Sequence, residues 1–293
     1  MIKIIGLKRT IIIFTIIIIF LAVLSSTIGI FSKTEGDKFE FTTLRGETVP
    51  IQGSGLYRYD SVSMASQAIA QDIVTLVIGL PLMIIALVLF KNNKLKGKLL
   101  LAGTLGYFLY TYISYAFLAA YNKLFIVYVI LFSLSLFSFI FTLQTIDIEG
   151  LSYRFPKKLP KKVIAGFSIF IGNTILLMWM GRIIPSLISN AVPVGLESYS
   201  TLVIQALDVG IIVPIAILSA VLLLRNRPWG YLLASVFLIK SVTLSAAVSA
   251  MALAQIKAGI EISKGEAIIF PTIFIVSSVL SITLLASVYE KEI

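Results

Sequence analysis

Two residue types on which much enzyme chemistry depends are missing: the 293-residue sequence contains no cysteine and no histidine. Without cysteine there is no disulfide, no thiolate metal site and no thiol redox chemistry. Without histidine, His-ligated haem, the HExxH zinc helix and the Ser–His and Cys–His nucleophile pairs are excluded as well. We therefore expect no metal site, no catalytic residues and no bound cofactor, and the sequence favours a protein that is not an enzyme.

Charged residues are also scarce. They make up 13% of the sequence, hydrophobic residues make up 58%, and the mean hydropathy is +1.02. A soluble domain is about a quarter charged, so this composition predicts an all-α, polytopic transmembrane helix bundle. The net charge of +10 lies in short loops between apolar runs, which is the pattern of membrane topology. We therefore expect the lipid bilayer, and no nucleic acid, as a partner.

The apolar runs are long enough for about eight transmembrane helices. These predicted helices, numbered 1 to 8, cover residues 11–31, 61–90, 99–120, 124–143, 163–181, 201–224, 229–255 and 267–289. The chain then divides into an N-terminal transmembrane helix (1–31), an extracytoplasmic loop (32–71) and a seven-helix bundle (72–293). The first apolar run is longer than the core of a signal peptide, so we expect it to be retained, with cleavage as the alternative.

The loop between predicted helices 1 and 2 is the only long polar segment. Apolar residues flank a glycine turn at 44–47, which predicts a small β-hairpin, and Asp60 is placed to cap helix 2. Residues 183–200, with two prolines, predict a connection along the membrane interface. Lys and Arg are more frequent in the loops that share a side with the N-terminus, so we expect a plasma-membrane protein with both termini cytoplasmic.

One acidic and one basic residue interrupt predicted helices 6 and 7. Asp208 and Lys240 lie at similar predicted depths, and the turn between these helices is so short that they should be antiparallel neighbours. Each charge alone costs a few kcal/mol inside a membrane, so we predict an Asp208–Lys240 ion pair facing the bundle interior, with Gln205 on the same face. The pair either lines a path for a ligand, ion or proton, or only fixes the packing of the two helices.

Polar residues in other predicted helices are further candidates. Tyr107 and Tyr110 share one side of predicted helix 3 while Tyr112 points away, which predicts either a hydrogen-bonded packing seam or a cavity wall. Asp72 and Arg182 are both predicted near the outer interface. They either face each other across an outer vestibule or each reach water separately.

Prolines interrupt predicted helices 2 and 6. Pro81 and Pro214 each remove a backbone hydrogen bond, which predicts a kink in both helices. A kink at Pro214 lies close enough to Asp208 to expose backbone carbonyls beside it. No internal repeat is visible on inspection of the sequence.

Three stretches carry a resemblance to a known group of proteins. They are Gly-Leu-Tyr-Arg-Tyr-Asp at 55–60, the tyrosine-rich segment 106–115, and Tyr-Asn-Lys-Leu-Phe at 121–125. Together with Asp208 and Lys240, they resemble multi-pass bacterial membrane proteins of unassigned function. The resemblance covers most of the chain and implies the bundle fold, but it implies no activity.

These observations leave two main functions open. The first is a transporter or sensor of a small solute or ion that uses the Asp208–Lys240 pair. The second is a non-catalytic accessory or structural membrane subunit that docks a membrane protein partner through its outer loop. A third and weaker class is a membrane enzyme whose bound lipid or pigment supplies the chemistry that His and Cys cannot.

Overall fold

Apolar helices dominate the fold. The structure, a computed structural model, describes the backbone of residues 2–290 and the side chains of residues 6–265 and 267–290. It is 73% helical, and its described part contains eight helical segments long and apolar enough to cross a membrane. The predicted all-α bundle of eight helices is therefore confirmed, and the chain is a multi-pass membrane protein. The helices are α1 (Ile2–Phe31), α2 (Val62–Val74), α3 (Leu80–Lys91), α4 (Leu95–Phe117), α5 (Phe125–Gln144), α6 (Lys161–Ser189), α7 (Val203–Leu207), α8 (Val213–Leu224), α9 (Pro228–Lys257) and α10 (Lys264–Ala286).

The predicted hairpin between the first two spans is confirmed. Strands β1 (Phe39–Thr42) and β2 (Thr48–Ile51) pair antiparallel, with Phe39 opposite Ile51. The residue that caps α2 differs from the expectation. Ser61 accepts the Met64 N–H at 3.0 Å, because Asp60 is held by partners on two other segments described below.

Helix α4 is the centre of the bundle. It is the least apolar of the eight spans and the most deeply buried, since it packs against α3, α5 and α9 on different sides. Tyr112 contacts a different helix from Tyr107, which agrees with the prediction that it points away from the side of Tyr107. Tyr107 and Tyr112 are both buried, and the Tyr112 hydroxyl lies 3.3 Å from Ser25 of α1. A helix surrounded by neighbours has no outward face to which a tyrosine could point.

Two spans are interrupted by a π-helical turn just before a proline. One turn covers Thr75–Gly79 and leads into α3, and the other covers Asp208–Ile212 and leads into α8. Pro81 and Pro214 each lack an N–H and clash with the preceding turn of a regular helix. Widening that turn relieves the clash, and π turns of this kind are frequent at functional sites. The irregularity expected at each proline therefore takes the form of an extra residue in the turn before it.

The two interrupted spans belong to a repeated unit that inspection of the sequence did not reveal. From the π turn onward, the elements recur at a constant offset of 133 residues (75 to 208, 81 to 214, 97 to 230). Helix α3 matches α8, and α4 and α9 begin at matching positions. At the tip of each hairpin an asparagine with positive φ, Asn93 or Asn226, closes the turn. Residues 75–117 and 208–250 are thus two copies of one kinked helical hairpin, and the second copy places Asp208 and Lys240 where the first has Thr75 and Tyr107.

Helix α6 is longer than expected. It continues through Pro185 to Ser189, so the first part of the predicted interfacial connection is helical. Pro185 removes one backbone bond close to the end of the helix, where few further bonds depend on it. Asn190, in the left-handed conformation, then ends α6.

The repeated hairpin makes a testable prediction about its two closest backbone approaches. A Cβ atom at Gly97 or Gly230 would overlap backbone atoms of the preceding helix, whereas a Cβ at Gly166 in α6 meets nothing within 4 Å. We expect Gly97→Ala and Gly230→Ala each to lower stability by about 1–3 kcal/mol or more, because backbone cannot move aside as a side chain can. Thermal unfolding of the detergent-purified variants measures this. Gly166→Ala is the control, and equal stability of all three variants would contradict the repeat.

Candidate functional site

A cavity of about 340 Å³ lies between the helices, in the half of the bundle nearer the β-hairpin. Its walls come from α2, α4, α6, α7, α9 and α10, and residues of the segment 195–202 also border it. This volume is in the range of small-molecule sites. The lining is mixed: polar side chains such as Gln71, Gln205 and Ser245 alternate with Met178 and other apolar groups.

The carboxylate of Asp208 is held in this cavity by two aromatic donors. The Tyr110 hydroxyl donates to Asp208 Oδ1 at 2.8 Å, and the Trp179 indole N–H donates to Oδ2 at 2.8 Å. Three elements meet here, since Asp208 starts a π turn, Tyr110 is on α4 and Trp179 is on α6. Asp208 is only 7% exposed, so these bonds supply most of the solvation that water would give.

Each aromatic donor carries a cation on its ring. Lys240 Nζ lies 4.1 Å from the centre of the Tyr110 ring, and the Arg182 guanidinium lies 5.2 Å from Trp179. A cation over the ring attracts its electrons and makes the hydroxyl or indole N–H a stronger donor. The site is therefore a carboxylate linked to two cations through two aromatic side chains.

The predicted ion pair is wrong in its geometry. Lys240 and Asp208 interact electrostatically, but within the described part of the chain Lys240 Nζ has no hydrogen-bond partner. The two residues do lie in the same region, as their similar predicted depths indicate. Those depths could not anticipate that Tyr110 of α4 contacts both, with its hydroxyl on Asp208 and its ring face on Lys240.

The other predicted residues divide between the cavity and the packed core. Gln205 and Arg182 line the cavity together with Asp208 and Tyr110. Tyr107 does not; its hydroxyl accepts the Gln71 side-chain N–H at 2.6 Å and lies 2.9 Å from the Thr75 hydroxyl. Its contribution is indirect, because Gln71 is itself a wall residue.

The outer vestibule expected between Asp72 and Arg182 is not formed. Arg182 lines the cavity, whereas Asp72 is 1% exposed and lies behind the wall. Asp72 Oδ2 accepts the Tyr57 hydroxyl at 2.6 Å, and Tyr115 of α4 approaches Oδ1 at 3.3 Å. Asp72 follows Gln71 directly, and adjacent residues of a helix do not face the same side. Gln71 borders the cavity, whereas the Asp72 carboxylate is turned toward Tyr57 of the outer loop.

Trp179 is a site residue that the sequence alone does not distinguish from an interfacial membrane anchor. Its indole N–H binds Asp208, and its ring lies next to Arg182, three residues further along α6. The spacing from Trp179 to Arg182 places both on one helix face, but an interfacial anchor pair has the same spacing. No signal in the sequence separates these two roles.

The segment 195–202 beside the cavity is held by the buried carboxyl group of Asp60 and the partly buried one of Glu197. Asp60 Oδ1 accepts the Ala120 N–H and the Tyr199 hydroxyl, each at 2.8 Å, and the Glu197 carboxylate accepts the Ser61 hydroxyl. Burial raises the pKa of Asp60 to about 6, despite the opposing effect of the two hydrogen bonds, and the charge of Glu197 raises it further. Burial likewise raises the pKa of Glu197.

No protein-family model, no curated protein and no solved structure matches this chain. The fold and the site together define a multi-pass membrane protein with a carboxylate-centred cavity among its helices. Any conclusion about its activity therefore rests on this geometry.

The Asp60 contacts predict a pH dependence of stability. The folded pKa of about 6 lies above the usual aspartate pKa of 3.8, so the stabilising contribution is complete below about pH 4 and is lost as the pH rises through 6. We expect thermal stability to rise by about 1 kcal/mol from pH 7 to pH 5, and Asp60→Asn to reduce this rise. Glu197 acts in the same direction, and adding Glu197→Gln should remove the remainder. The exposed Asp37→Asn is the control, and an unchanged pH profile in Asp60→Asn would contradict the assignment.

Substitution of Lys240 tests the corrected geometry. We expect Lys240→Met to leave the melting temperature unchanged or raise it, because the loss of a cation–π contact of about 1–2 kcal/mol is offset by removing a buried ammonium without a hydrogen-bond partner. Breaking a direct buried ion pair would instead cost about 3–5 kcal/mol. A loss of that size in Lys240→Met, absent from the control Lys257→Met at the end of α9, would support the direct pair.

Proposed function

We propose that the protein binds a small amphipathic solute in the cavity at Asp208 and moves it across the membrane. The observation that carries this proposal is a buried carboxylate, held by Tyr110 and Trp179, that borders a ligand-sized cavity between transmembrane helices. Ionisable groups at such depth are costly and are usually retained for function. The mixed lining suits a solute with both apolar and polar parts.

The chemistry of Asp208 narrows the solute further. A carboxylate has about four lone-pair positions, and Tyr110 and Trp179 use two of them. The remaining positions accept hydrogen bonds, so the solute should carry a donor such as an amine or a hydroxyl group. Lys240 and Arg182 lie on the rings of these two donors and strengthen their hydrogen bonds to Asp208.

The position of Asp208 in the chain supports movement as well as binding. The same residue that faces the solute begins the π turn before Pro214, where the helix has already departed from regular hydrogen bonding. Interrupted helices serve as binding and bending points in many transporters. A change in the partners of Asp208 would thus act directly on the angle between α7 and α8.

The distribution of basic residues supports access to the cavity from outside the cell. Lys and Arg are concentrated at the end of the bundle opposite the β-hairpin, which favours a cytoplasmic location for that end and for both termini. The cavity would then face the outer side of the plasma membrane.

The exposed surface of the β-hairpin supports a second candidate function. All four residues of β1 are exposed, including Phe39 and Phe41, and Leu44 in the turn is fully exposed. An exposed strand edge with apolar side chains offers a surface for another protein. In this alternative the chain is an accessory membrane subunit that docks a partner through the hairpin, and the Asp208 site only fixes packing.

Ligand binding by purified protein tests the proposal. We would measure thermal shifts in detergent with primary and quaternary amines and with uncharged alcohols of matched size. A binding solute should stabilise wild type and the exposed control Glu149→Gln. Asp208→Asn should lose about tenfold or more in affinity, since a hydrogen bond to a charged group contributes about 1.5–3 kcal/mol.

Reconstitution decides whether binding leads to movement. A solute that binds at Asp208 should accumulate in proteoliposomes containing wild type and not in those containing Asp208→Asn. Equal stabilisation of wild type and Asp208→Asn by every compound would refute the cavity as a solute site. The hairpin alternative would then be favoured.

A further inference from the structure

Asp72 is a second buried carboxylate, and it lies outside the cavity. Among the described residues no Lys or Arg interacts with it, and it is only 1% exposed. A Cβ atom at Gly29 would overlap its Oδ2 atom, so the backbone of α1 packs directly against the carboxylate on that side. An uncompensated carboxylate in such a place is costly unless something else supplies positive charge.

The hydrogen bonds to Asp72 are fewer than its oxygen atoms can accept. Tyr57 donates one short bond of 2.6 Å. Tyr115 has a single proton, and its hydroxyl lies 3.0 Å from the Ala68 carbonyl oxygen but 3.3 Å from Asp72 Oδ1, so that proton is shared or points to Ala68. The carboxylate therefore keeps free lone pairs.

Two further hydroxyl oxygens nearby have no partner. Ser26 Oγ and the Tyr128 hydroxyl are fully buried and make no hydrogen bond in the described part of the chain. The Ser26 hydroxyl lies beside the Asp72 carboxylate, one turn before Gly29 on α1, and Tyr128 is close enough to Asp72 to interact with it electrostatically. Buried polar atoms without a partner are rare in native proteins and often mark a site for an ion or water.

We propose that Asp72, Ser26, Tyr57 and Tyr128 bind a sodium ion. These groups offer carboxylate and hydroxyl oxygens, which are the ligands that hard cations prefer. A monovalent ion neutralises the single charge of Asp72, whereas a divalent ion would leave a net positive charge in the membrane interior. The site goes beyond the proposed solute cavity and does not depend on it.

A bound proton accounts for less of the geometry. It would neutralise Asp72 but leave the oxygen atoms of Ser26 and Tyr128 unpaired, at a cost of about 1–3 kcal/mol each. A sodium ion uses those oxygens as ligands. Tyr115 links the two regions, since it borders the solute cavity and its hydroxyl approaches Asp72.

Direct ion binding tests the proposal. We would measure equilibrium binding of ²²Na⁺ to detergent-purified wild type in choline chloride at constant ionic strength and pH, with unlabelled NaCl as competitor. Wild type should bind one sodium ion per chain, and Asp72→Asn should bind none. Tyr128→Phe and Ser26→Ala should each weaken binding by about tenfold or more, because each removes one proposed ligand.

Two matched controls keep the result specific. Ser135→Ala removes another buried serine hydroxyl without a partner. Ser135 lies on α5, two turns beyond Tyr128, and this variant should bind sodium as wild type does. Asp208→Asn should also bind normally, which separates this site from the proposed solute cavity. If Asp72→Asn does not fold, Tyr128→Phe still decides, because it removes only an unpaired oxygen atom.

Three outcomes would overturn the sodium site. The first is the absence of saturable ²²Na⁺ binding to wild type. The second is binding to Asp72→Asn or Tyr128→Phe with wild-type affinity. The third is thermal stability that depends on pH through Asp72 but not on sodium at any pH, which would make Asp72 a proton site instead.

Discussion

The need to solvate carboxylates inside a membrane organises this structure. Water cannot reach Asp72 or Asp208 freely, so hydrogen-bond donors from neighbouring helices must replace it. Helix α4 brings a tyrosine hydroxyl to each: Tyr110 donates to Asp208, and the Tyr115 hydroxyl lies 3.3 Å from Asp72. This explains why the most deeply buried helix is also the least apolar one, and why its tyrosines point in several directions.

The two copies of the helical hairpin carry different residues at equivalent positions. Both copies have a π turn before a proline, but the first copy pairs the hydroxyls of Thr75 and Tyr107, whereas the second has Asp208 and Lys240 at those positions. Uncharged hydroxyls satisfy each other and pack closely. A carboxylate and an ammonium that do not touch need further partners, and those partners border the cavity. One backbone arrangement thus supports a packed contact in the first copy and a polar site in the second.

Much of the fold could be predicted from the sequence, because apolar runs of membrane length and the glycine turn of the hairpin are local signals. The capping of α2 by Ser61 and the burial of Tyr112 could not, since both depend on which segments meet in space. The repeat was hidden for a similar reason. Its two copies share backbone geometry at proline, glycine and asparagine positions, while most of the side chains between them differ.

The sequence by itself determined the class of the protein, the number of its spans, and the presence of two costly ionisable residues in predicted helices 6 and 7. Composition and hydropathy are enough for these conclusions, because the membrane imposes the same requirement on every span. Only the tertiary structure decided what surrounds each charge. Tyr110 and Trp179 reach Asp208 from helices far away in the chain, and Tyr57 reaches Asp72 from the outer loop. Such contacts depend on how helices pack side by side, which the spacing of residues along one helix does not specify.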